Sequence, residues 1–342
     1  MVSRPVRLAV LTGDHHKPDP TKRNQRYNEE DMVTHNAMKQ AFESLSDYEV
    51  AFWTDHDKVF AELERHPPDL VVNFCDTGFR NVPTLELNFP AYLELIGVPY
   101  TGAPPAAMVT CYDKAIVRLV AEQLGIAVPW EAFLFADASP ETVDFRFPCL
   151  IKPNRADGSV GITKDAVVRD KAAARDYIAW MRKTLPGSDA LIQEYLPGPE
   201  YGVGLVGNPE AGLRAFPPLE VDFSGLPAGL NPILSYESKA IPDSPYWTEI
   251  KIEPANMPAA HRERLVAAAE MLFRRLGLRD YGRFDFRVGA DGEPKLMEVN
   301  PNPAWANDGK LALMAGFAGI AYPDMLKMVV EAALTRIGVR RS

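Results

Sequence analysis

Two polar patterns near the carboxyl end of the chain, Arg283-x-Asp285 and Glu298-x-Asn300, have the side chains and the spacing of an ion-binding site. Residues two apart in a β-strand project from the same face, so each pair would present its polar groups together. Between the two patterns lies Asp291-Gly292, and Asp-Gly between alternating segments is a strong hairpin signal. A turn centred there pairs positions whose numbers sum to 583, which places Asp285 opposite Glu298.

Two carboxylates that face each other across a hairpin repel by up to about 1 kcal/mol, and a cation between them removes that repulsion. Carboxylate and amide oxygens, completed by phosphate oxygens, are the ligands that Mg²⁺ prefers. The pattern therefore predicts a magnesium site formed by Asp285, Glu298 and Asn300. A solvated charged face on an edge hairpin remains the alternative, and a three-residue loop would change the register.

A second group of residues indicates a phosphate site. Lys152 ends an apolar segment and precedes a loop that carries Gly158, Ser159 and Gly161. Small residues let backbone N–H groups approach phosphate oxygens, and a lysine adds a positive charge. This pattern predicts a mobile flap over a nucleotide, although an ordinary glycine turn would contain the same residues.

Two further carboxylates flank a predicted hinge. Glu194 and Glu200 lie on either side of Pro197-Gly198, where an apolar segment ends. A carboxylate at such a junction can accept hydrogen bonds from a ribose or an amine, while backbone groups read a base edge. On their own these residues do not establish a nucleotide site.

Length and composition exclude several classes of protein. The 342 residues, 46% of them hydrophobic, suffice for two or three domains with a large core. The 37 basic and 46 acidic residues give a net charge of −9 without a basic run, which argues against nucleic-acid binding. Cys75, Cys111 and Cys149 form no Cys-x-x-Cys pair, as expected of reduced thiols in a cytoplasmic protein. The sequence contains neither a signal peptide nor an apolar stretch of about 18 residues, so secretion and membrane spanning are not expected.

The order of predicted elements indicates a mixed α/β and α+β architecture. Strand-like and helix-like segments alternate over the first hundred residues, as in a parallel βαβ layer whose final strand would be Gly97–Ala103. No G-x-G-x-x-G follows the first strand, so a dinucleotide site is not predicted there. Later predicted elements are a helix over 111–124, a strand over 147–152, a helix over 170–184, an irregular stretch over 224–257 and helices over 258–276 and 323–337. Three units are predicted, with bounds 1–104, 105–196 and 197–342.

Taken in their order, these motifs resemble those of the ATP-grasp superfamily, and within it the D-alanine:D-alanine ligase group. The resemblance covers about residues 69–337 and includes Lys114 on a helix. The matching segments are Phe147-Pro-Cys-Leu-Ile-Lys-Pro153, Gly158-Ser-Val-Gly-Ile162, Glu194-Tyr-Leu-Pro-Gly-Pro-Glu200, Gly282-Arg-Phe-Asp285 and Glu298-Val-Asn300. The resemblance implies a three-unit ATP-grasp architecture with ATP between the central and C-terminal units.

The resemblance also implies a role for each motif residue toward the nucleotide. Lys114 and Lys152 would contact the phosphates of ATP. Glu194 and the backbone of Leu196 would meet the adenine, and Glu200 the ribose.

For the reaction, the resemblance implies a carboxylate–amine ligase that needs no covalent protein nucleophile. Asp285, Glu298 and Asn300 would hold two Mg²⁺ ions, for which Mn²⁺ is a substitute. A substrate carboxylate would attack the γ-phosphate, and an amine would attack the resulting acyl phosphate. Arg283 would stabilise the oxyanion, while the flap with Ser159 would exclude water.

The segment 224–247 is long for a loop inside a compact domain, and such loops are usually lids or disordered. Its Ser235-Tyr-Glu-Ser-Lys239 resembles the Tyr-Glu-x-Lys element of the family's lid, with Ala240 where the family has a tyrosine. Lys239 would reach a phosphate or a substrate carboxylate. A surface lysine is the alternative.

The sequence differs from the family in the segments that bind the two amino acids in family members. Thr12-Gly-Asp-His-His-Lys-Pro-Asp19 replaces the Gly-Gly-x-Ser-x-Glu element whose glutamate holds the first amine, and 301–309 replaces the serine-containing turn that holds the second carboxylate. We therefore expect an amino acid or other small carboxylate and an amine that differ from two D-alanines. No nucleic-acid or membrane partner is expected. The resemblance to the family implies a homodimer.

Two alternatives to this function remain, a true D-alanine:D-alanine ligase with an unusual pocket and a nucleotide-binding module without turnover. Two features of the departing segments are also ambiguous. His15-His16 fits a solvated loop better than a ligand site, and Trp305 fits either a pocket wall or the core.

Overall fold

The structure is a computed structural model that describes residues 4–20, 22–156 and 158–339. Within these ranges the chain forms three β-sheets, of three, four and six strands, surrounded by α-helices. The first sheet is parallel and the other two are antiparallel, so the predicted mixed architecture is confirmed.

The N-terminal unit is the parallel βαβ layer that the alternating pattern predicts. Its strands lie in the order β2-β1-β3, with Leu8 beside Val50 on one side and Leu70 on the other. The expected final strand at Gly97–Ala103 is wrong, because only Tyr100 forms an isolated bridge, with Val71. The elements are β1 (Val6–Leu11), α1 (Glu29–Glu43), β2 (Tyr48–Trp53), α2 (Val59–Arg65), β3 (Leu70–Asn73) and α3 (Asn88–Ile96).

Two helices, α4 (Pro105–Tyr112) and α5 (Lys114–Gln123), stand where one helix over 111–124 was expected. The break is at Asp113, whose side chain accepts a hydrogen bond from the Ile116 backbone N–H and so caps α5. Val117 and Ala121 of α5 are buried against the third sheet, not the second. This packing places Lys114, the first residue of α5, at the edge of that sheet.

The central unit is a four-stranded antiparallel sheet covered by one long helix. The strand order is β4-β7-β5-β6, and Lys152 pairs with Leu191 across the sheet. The elements are β4 (Glu131–Leu134), β5 (Cys149–Pro153), β6 (Val167–Val168), α6 (Lys171–Thr184) and β7 (Ala190–Glu194).

The third sheet is the largest, with order β11-β10-β8-β12-β13 and β9 paired to β8. The segment predicted to be irregular contains two short helices and an edge strand. The elements are β8 (Glu200–Asn208), β9 (Gly212–Ala215), β10 (Leu219–Asp222), α7 (Glu237–Ala240), α8 (Pro245–Thr248), β11 (Lys251–Pro254), α9 (Ala259–Leu276), β12 (Tyr281–Val288), β13 (Pro294–Asn300), α10 (Lys310–Phe317) and α11 (Tyr322–Arg336).

The β12–β13 hairpin has the predicted pairing of Asp285 with Glu298, but its turn differs from the predicted one. Asp285 pairs with Glu298 and Arg283 with Asn300, and in both pairs the residue numbers sum to the expected 583. Nearer the turn, Val288 pairs with Pro294, which does not follow that sum. The loop is therefore longer than the expected two-residue turn, and a bulge next to Asp285 corrects the register. The bulge also turns Leu296, and not the expected Met297, into the core beside Val299.

The N-terminal unit packs directly on the C-terminal one, because β1, β3 and α1 share a hydrophobic core with α10 and α11. A polar network joins the same units, in which the Tyr281 hydroxyl donates to Asn302 at 2.6 Å and Asn302 donates to Glu86 at 2.8 Å. The predicted bounds at 104 and 196 fall between sheets but remain predictions, since α5, α10 and α11 pack across units. Among the described residues no single helix is long and apolar enough to cross a membrane, and only the α10–α11 pair, bent by 106°, passes that test jointly.

Candidate active site

The polar side of the β12–β13 hairpin, which we call the hairpin face, carries the charged residues that the alternating pattern predicts. Phe284 and Phe286 lie in the core on the other side. Arg283 donates to both carboxylate oxygens of Asp285, from Nε at 2.9 Å and from Nη2 at 3.0 Å. Burial favours the neutral acid, but Arg283 and Lys310 hold the pKa of Asp285 well below its usual range.

Across the hairpin, Asn300 joins the two carboxylates. Its Nδ2 lies 3.3 Å from Asp285 Oδ2 and 3.5 Å from Glu298 Oε1, and Lys114 Nζ lies 4.0 Å from the other oxygen of Glu298. Burial raises the pKa of Glu298, but Lys114 and Lys152 outweigh burial and keep it below its ordinary value. Both carboxylates are therefore ionised at neutral pH.

The donor chemistry of this group fits Mg²⁺. Two ionised carboxylates and an amide oxygen, available after a half-turn of the Asn300 amide, are hard oxygen ligands. Among the described residues no group of three or more His, Cys, Asp or Glu side chains is placed to hold a metal ion by itself, so phosphate oxygens would have to complete the coordination.

Lys152 is buried in the central sheet, on the face that it shares with Gln193. Burial and the neighbouring charge of Lys114 lower the pKa of Lys152 to about 8. A buried lysine with this pKa is still mostly charged at neutral pH, and an anionic partner would stabilise that charge. This environment supports a phosphate contact.

The register of β7 places its neighbouring residues Gln193 and Glu194 on opposite faces of the central sheet. Glu194 pairs with Cys149 and so projects away from the Lys152 face, where its carboxylate accepts from Lys295 Nζ at 2.9 Å and from the Trp130 N–H at 3.2 Å. Gln193 is 2% exposed and its Oε1 has no partner among the described residues. The sequence reasoning missed Gln193, although its alternation with Glu194 along the strand could have revealed it.

Glu200 lies at the start of β8 and has two cationic neighbours. Lys310 Nζ is 3.4 Å and Arg287 Nη1 3.6 Å from its carboxylate oxygens. Lys310 also lies 3.7 Å from Asp285 Oδ2, which makes it a further cation of the hairpin face. The sequence reasoning missed Lys310, since its place depends on how α10 packs.

The packing of α10 depends on Gly204 of β8. A Cβ at this position would lie 2.7 Å from a methyl group of Leu311 and 2.8 Å from that of Met314. The absence of a side chain lets α10 approach the sheet and directs Lys310, its first residue, toward Asp285. This is a packing reason for glycine, independent of backbone conformation.

The predicted flap and lid contact each other. Ser159 Oγ donates to the Leu234 carbonyl at 2.9 Å, the Tyr236 N–H donates to the Ile162 carbonyl at 2.7 Å, and the Lys164 N–H contacts the Glu237 carboxylate at 3.1 Å. These three bonds join the two loops into one cover above the cleft.

Lys239 projects from the lid toward the hairpin face. The residue is exposed overall, but desolvation of its ammonium group and the charges of Lys310 and Arg283 lower its pKa, while Glu298 and Asp285 oppose that change. These partners place the ammonium group within electrostatic range of the whole hairpin face.

The remaining sequence candidates lie away from the hairpin face. Leu196 is buried at the junction between the central and third sheets. His16 is exposed and His15 half-buried in the loop after β1. Trp305 packs at the edge of the shared core, where its ring stacks on Phe74 at 6.1 Å.

Cations outnumber carboxylates around the hairpin face. Arg283, Arg287, Lys114, Lys152, Lys239 and Lys310 stand against Asp285, Glu200 and Glu298. A partly buried excess of positive charge favours anionic ligands. The arrangement is therefore suited to bind phosphates and carboxylates.

Comparisons with known proteins agree with this geometry. A family model described as the D-ala D-ala ligase C-terminus matches residues 120–331. The protein y4sG of Sinorhizobium fredii, itself uncharacterised, is 31% identical over 282 residues, which are 80% of each chain. The vancomycin B-type resistance protein VanB of Enterococcus faecalis is 28% identical over 71% of this chain and 68% of its own length.

Solved structures give the same relationship at the level of fold. The D-alanine–D-alanine ligase of Bacillus anthracis, complexed with ATP, superposes with a TM-score of 0.69 at 21% identity. The match covers 97% of this chain and 98% of that one.

Proposed function

The chain belongs to the D-alanine–D-alanine ligase family of ATP-grasp enzymes, and on that premise we propose that it is a Mg-ATP-dependent ligase that joins a carboxylate to an amine. The reaction would pass through an acyl phosphate and release ADP and phosphate. One observation carries this proposal. Asp285 and Glu298 face each other as ionised groups on a surface that is otherwise positively charged.

ATP would lie between the central sheet and the hairpin face. Lys152 and Lys114 would contact its phosphates, which the lowered pKa of Lys152 supports. The backbone of Leu196 and the carboxylate of Glu194 would meet the adenine and Glu200 the ribose. Gln193 is a further candidate for the base, because its unpartnered Oε1 could accept a hydrogen bond from an amino group.

Asp285, Glu298 and Asn300 would hold two Mg²⁺ ions, with Mn²⁺ as a substitute. When bound, the metal would neutralise charge on the phosphates. Even without a metal ion, Arg283 holds Asp285 by two hydrogen bonds, so the protein itself orients the carboxylate oxygens of Asp285.

The reaction would proceed in two displacements. A substrate carboxylate oxygen would attack the γ-phosphorus while ADP leaves, and the amine nitrogen would then attack the acyl carbon while phosphate leaves. Arg283 and Lys239 would stabilise negative charge on the reacting oxygens. The cover joined by Ser159 would keep water from the acyl phosphate.

The two substrates are expected to be an amino acid or another small carboxylate and an amine, other than a pair of D-alanines. This expectation rests on the replaced segments around 12–19 and 301–309. A second candidate is a true D-alanine:D-alanine ligase, which the fold likeness to the Bacillus anthracis enzyme favours. A binding module without turnover is less well supported, because the charged groups of the hairpin face are all present.

Phosphate release from Mg-ATP with single amino acids and with pairs of them, followed by mass spectrometry, tests the proposal. Turnover that needs a pair and gives a product one water lighter than their sum is the expected result. D-alanine alone as sufficient substrate would favour the second candidate. Tight ATP binding without turnover on any pair would favour the binding module.

A further inference from the structure

Arg287 of β12 is a buried arginine on the hairpin face, and its side chain contacts several parts of the cleft. It is 3% exposed and pairs with Glu200 of β8 across the third sheet. Alternate residues of a strand share a face, so the side chain lies on the same side as Arg283 and Asp285. Arg287 is therefore a neighbour of the residues proposed to bind the metal ions and the ribose.

An anion and two aromatic rings surround the guanidinium group of Arg287. Its Nη1 lies 3.6 Å from a carboxylate oxygen of Glu200. The guanidinium carbon lies 4.9 Å from the ring centre of Phe223 and 5.9 Å from that of Tyr195. Aromatic faces attract a guanidinium group and limit its orientations. The group is thus positioned by β8, by the residue that precedes the lid and by the residue that follows β7.

Arg287 also contacts the lid, residues 224–247. Its Nη2 donates a hydrogen bond to the carbonyl oxygen of Pro232. This part of the lid is packed on the central unit, because Ile233 is 3% exposed in the core of that unit and Leu226 packs against the same core. Arg287 belongs to the third sheet, so its side chain joins that sheet to the lid and to the central unit.

One donor of the Arg287 side chain is unused. The Nε–H group is buried and has no hydrogen-bond partner among the described residues. Buried donors are almost always hydrogen-bonded in folded proteins. The separation of 3.6 Å between Nη1 and Glu200 is also longer than a hydrogen bond. Both features indicate that a polar ligand between Arg287 and Glu200 completes this group of contacts.

The lid contact and the ligand contact would share one guanidinium group. The proposed function places a ribose at Glu200, whose carboxylate accepts from hydroxyl groups, while a ribose oxygen can accept from the Nε–H of Arg287. A long side chain that one partner has already fixed loses less conformational freedom when a second partner binds. Each contact therefore favours the other, and the coupling acts in both directions.

We propose that Arg287 couples occupation of the ribose site to closure of the lid. It is a positioning residue: a ribose at Glu200 fixes the guanidinium group, which then holds the Pro232 carbonyl. A nucleotide with both ribose hydroxyls closes the lid more firmly than one that lacks them. The inference rests on the proposed function for the position of the nucleotide, but its test needs no turnover.

Hydrogen–deuterium exchange of the amides within residues 224–247, measured by mass spectrometry, tests the proposal. The wild type, Arg287→Met and Arg287→Lys are each measured without nucleotide and with saturating Mg-ADP, and calorimetry on each variant sets the concentration that gives equal saturation. Arg214→Met, at an exposed position of β9 in the same sheet, is the matched control.

The readout is the ratio of exchange rates without and with nucleotide. We expect Mg-ADP to slow exchange in the lid about ten-fold or more in the wild type and in Arg214→Met, and less than about two-fold in Arg287→Met. Arg287→Lys keeps the charge but has no planar fork of donors, so its ratio should be intermediate. A purely structural role for Arg287 would speed exchange by the same factor in both states and leave the ratio unchanged.

A second comparison uses the wild type alone and so does not depend on the folding of a variant. Mg-2′,3′-dideoxy-ADP keeps the base and the phosphates but lacks both ribose hydroxyls. At equal saturation it should slow exchange in the lid less than about two-fold, as Mg-ADP does in Arg287→Met.

Three results would overturn the inference: Mg-ADP binds the wild type without slowing exchange in the lid, Arg287→Met keeps the wild-type ratio, or the dideoxy nucleotide protects the lid as well as ADP does. All three leave the proposed ligase function intact. Failure of that function has a separate signature, in which the wild type binds no nucleotide, and the inference then fails with it.

Discussion

The hairpin face and a cluster of aromatic side chains that we call the N-terminal wall, formed by His15, Tyr27, His35 and Trp305, are assembled in different ways. On the hairpin face, Asp285, Glu298 and Asn300 come from two adjacent strands whose pairing follows from a local alternation. The wall combines the loop after β1, helix α1 and Trp305, which are far apart in the chain. A site built from neighbouring strands can be read from sequence, whereas one built from distant loops depends on how the units pack.

The two regions also differ in how closely their residues match the family. The hairpin face carries a positive excess and suits phosphates and carboxylates, and its motifs match the family. In the wall, His15 and Trp305 belong to the two segments in which the sequence departs from the family. We expect changes on the hairpin face to affect nucleotide chemistry and changes at the wall to affect substrate choice.

The largest effect should come from Glu298→Gln on the hairpin face. This change removes a charge from the predicted metal site but keeps the shape, and the rate of product formation should fall by about 10²–10³-fold, comparable to losing one electrostatic group of an active site. The kcat of the ligase reaction is the measurement. Glu293→Gln, in the exposed loop of the same hairpin, is the control, and equal rates for the two variants would contradict the metal role of Glu298.

Lys310→Met should have the next largest effect. The variant removes a cation that lies 3.7 Å from Asp285 and 3.4 Å from Glu200, so anionic ligands would be held less well. We expect kcat/KM for Mg-ATP to fall by about 10–100-fold, or about 1.4–2.8 kcal/mol. Lys310→Arg should recover part of the loss, and Lys327→Met, which breaks an exposed pair with Asp47, should change nothing. A Lys310→Met enzyme with wild-type kcat/KM would show that the ion pair is only structural.

The pH dependence of nucleotide binding should report on Lys152. Its pKa is lowered to about 8, so its charge, and with it the attraction for phosphate, is present below pH 8 and lost above. ATP affinity should decline by up to about eight-fold between pH 7.5 and 9, the ratio of charged lysine at those two values. Calorimetric titration over this range is the measurement. Lys152→Arg stays charged and should flatten the profile, and an equally steep decline in that variant would assign the effect to another group.

The smallest effect should come from Ser159→Ala in the cover. The lost bond from Ser159 Oγ to the Leu234 carbonyl is one of three between flap and lid, so the cover should open more often, at a cost of about 1 kcal/mol or roughly five-fold in kcat/KM. Faster proteolytic cleavage within residues 224–247 should accompany the loss. Ser224→Ala, at the start of the same segment, is the control, because the Ser224 hydroxyl donates to Asp222 and not to the flap. Unchanged cleavage would mean that this bond does not hold the cover closed.

Sequence patterns predicted most of the architecture, and for the candidate site they predicted which residues share the hairpin face. The parallel N-terminal layer, helix α9 and the pairing of Asp285 with Glu298 are confirmed, because each depends on local periodicity. The single helix over 111–124 was wrong because the cap at Asp113 starts a new helix. The strand at Gly97–Ala103 was wrong because only one residue reaches a partner strand.

The hairpin shows how a correct pairing can follow from an incorrect turn. The loop is longer than two residues, and the bulge next to Asp285 restores the sum of 583. Sequence alternation predicted which residues share a face, but it could not place the bulge, which depends on Leu296 fitting the core.

The sequence by itself determined the chemical inventory: carboxylates at strand spacing, lysines before flexible loops, and the order of motifs that identifies the family. Strand geometry is local, so these relations survive in any fold that keeps the strands. Only the tertiary structure decided that Lys310 joins the hairpin face, that Gln193 rather than Glu194 shares the face of Lys152, and that Trp305 stacks on Phe74. These three depend on a helix resting on Gly204, on strand register and on the contact between two units, none of which a local pattern contains.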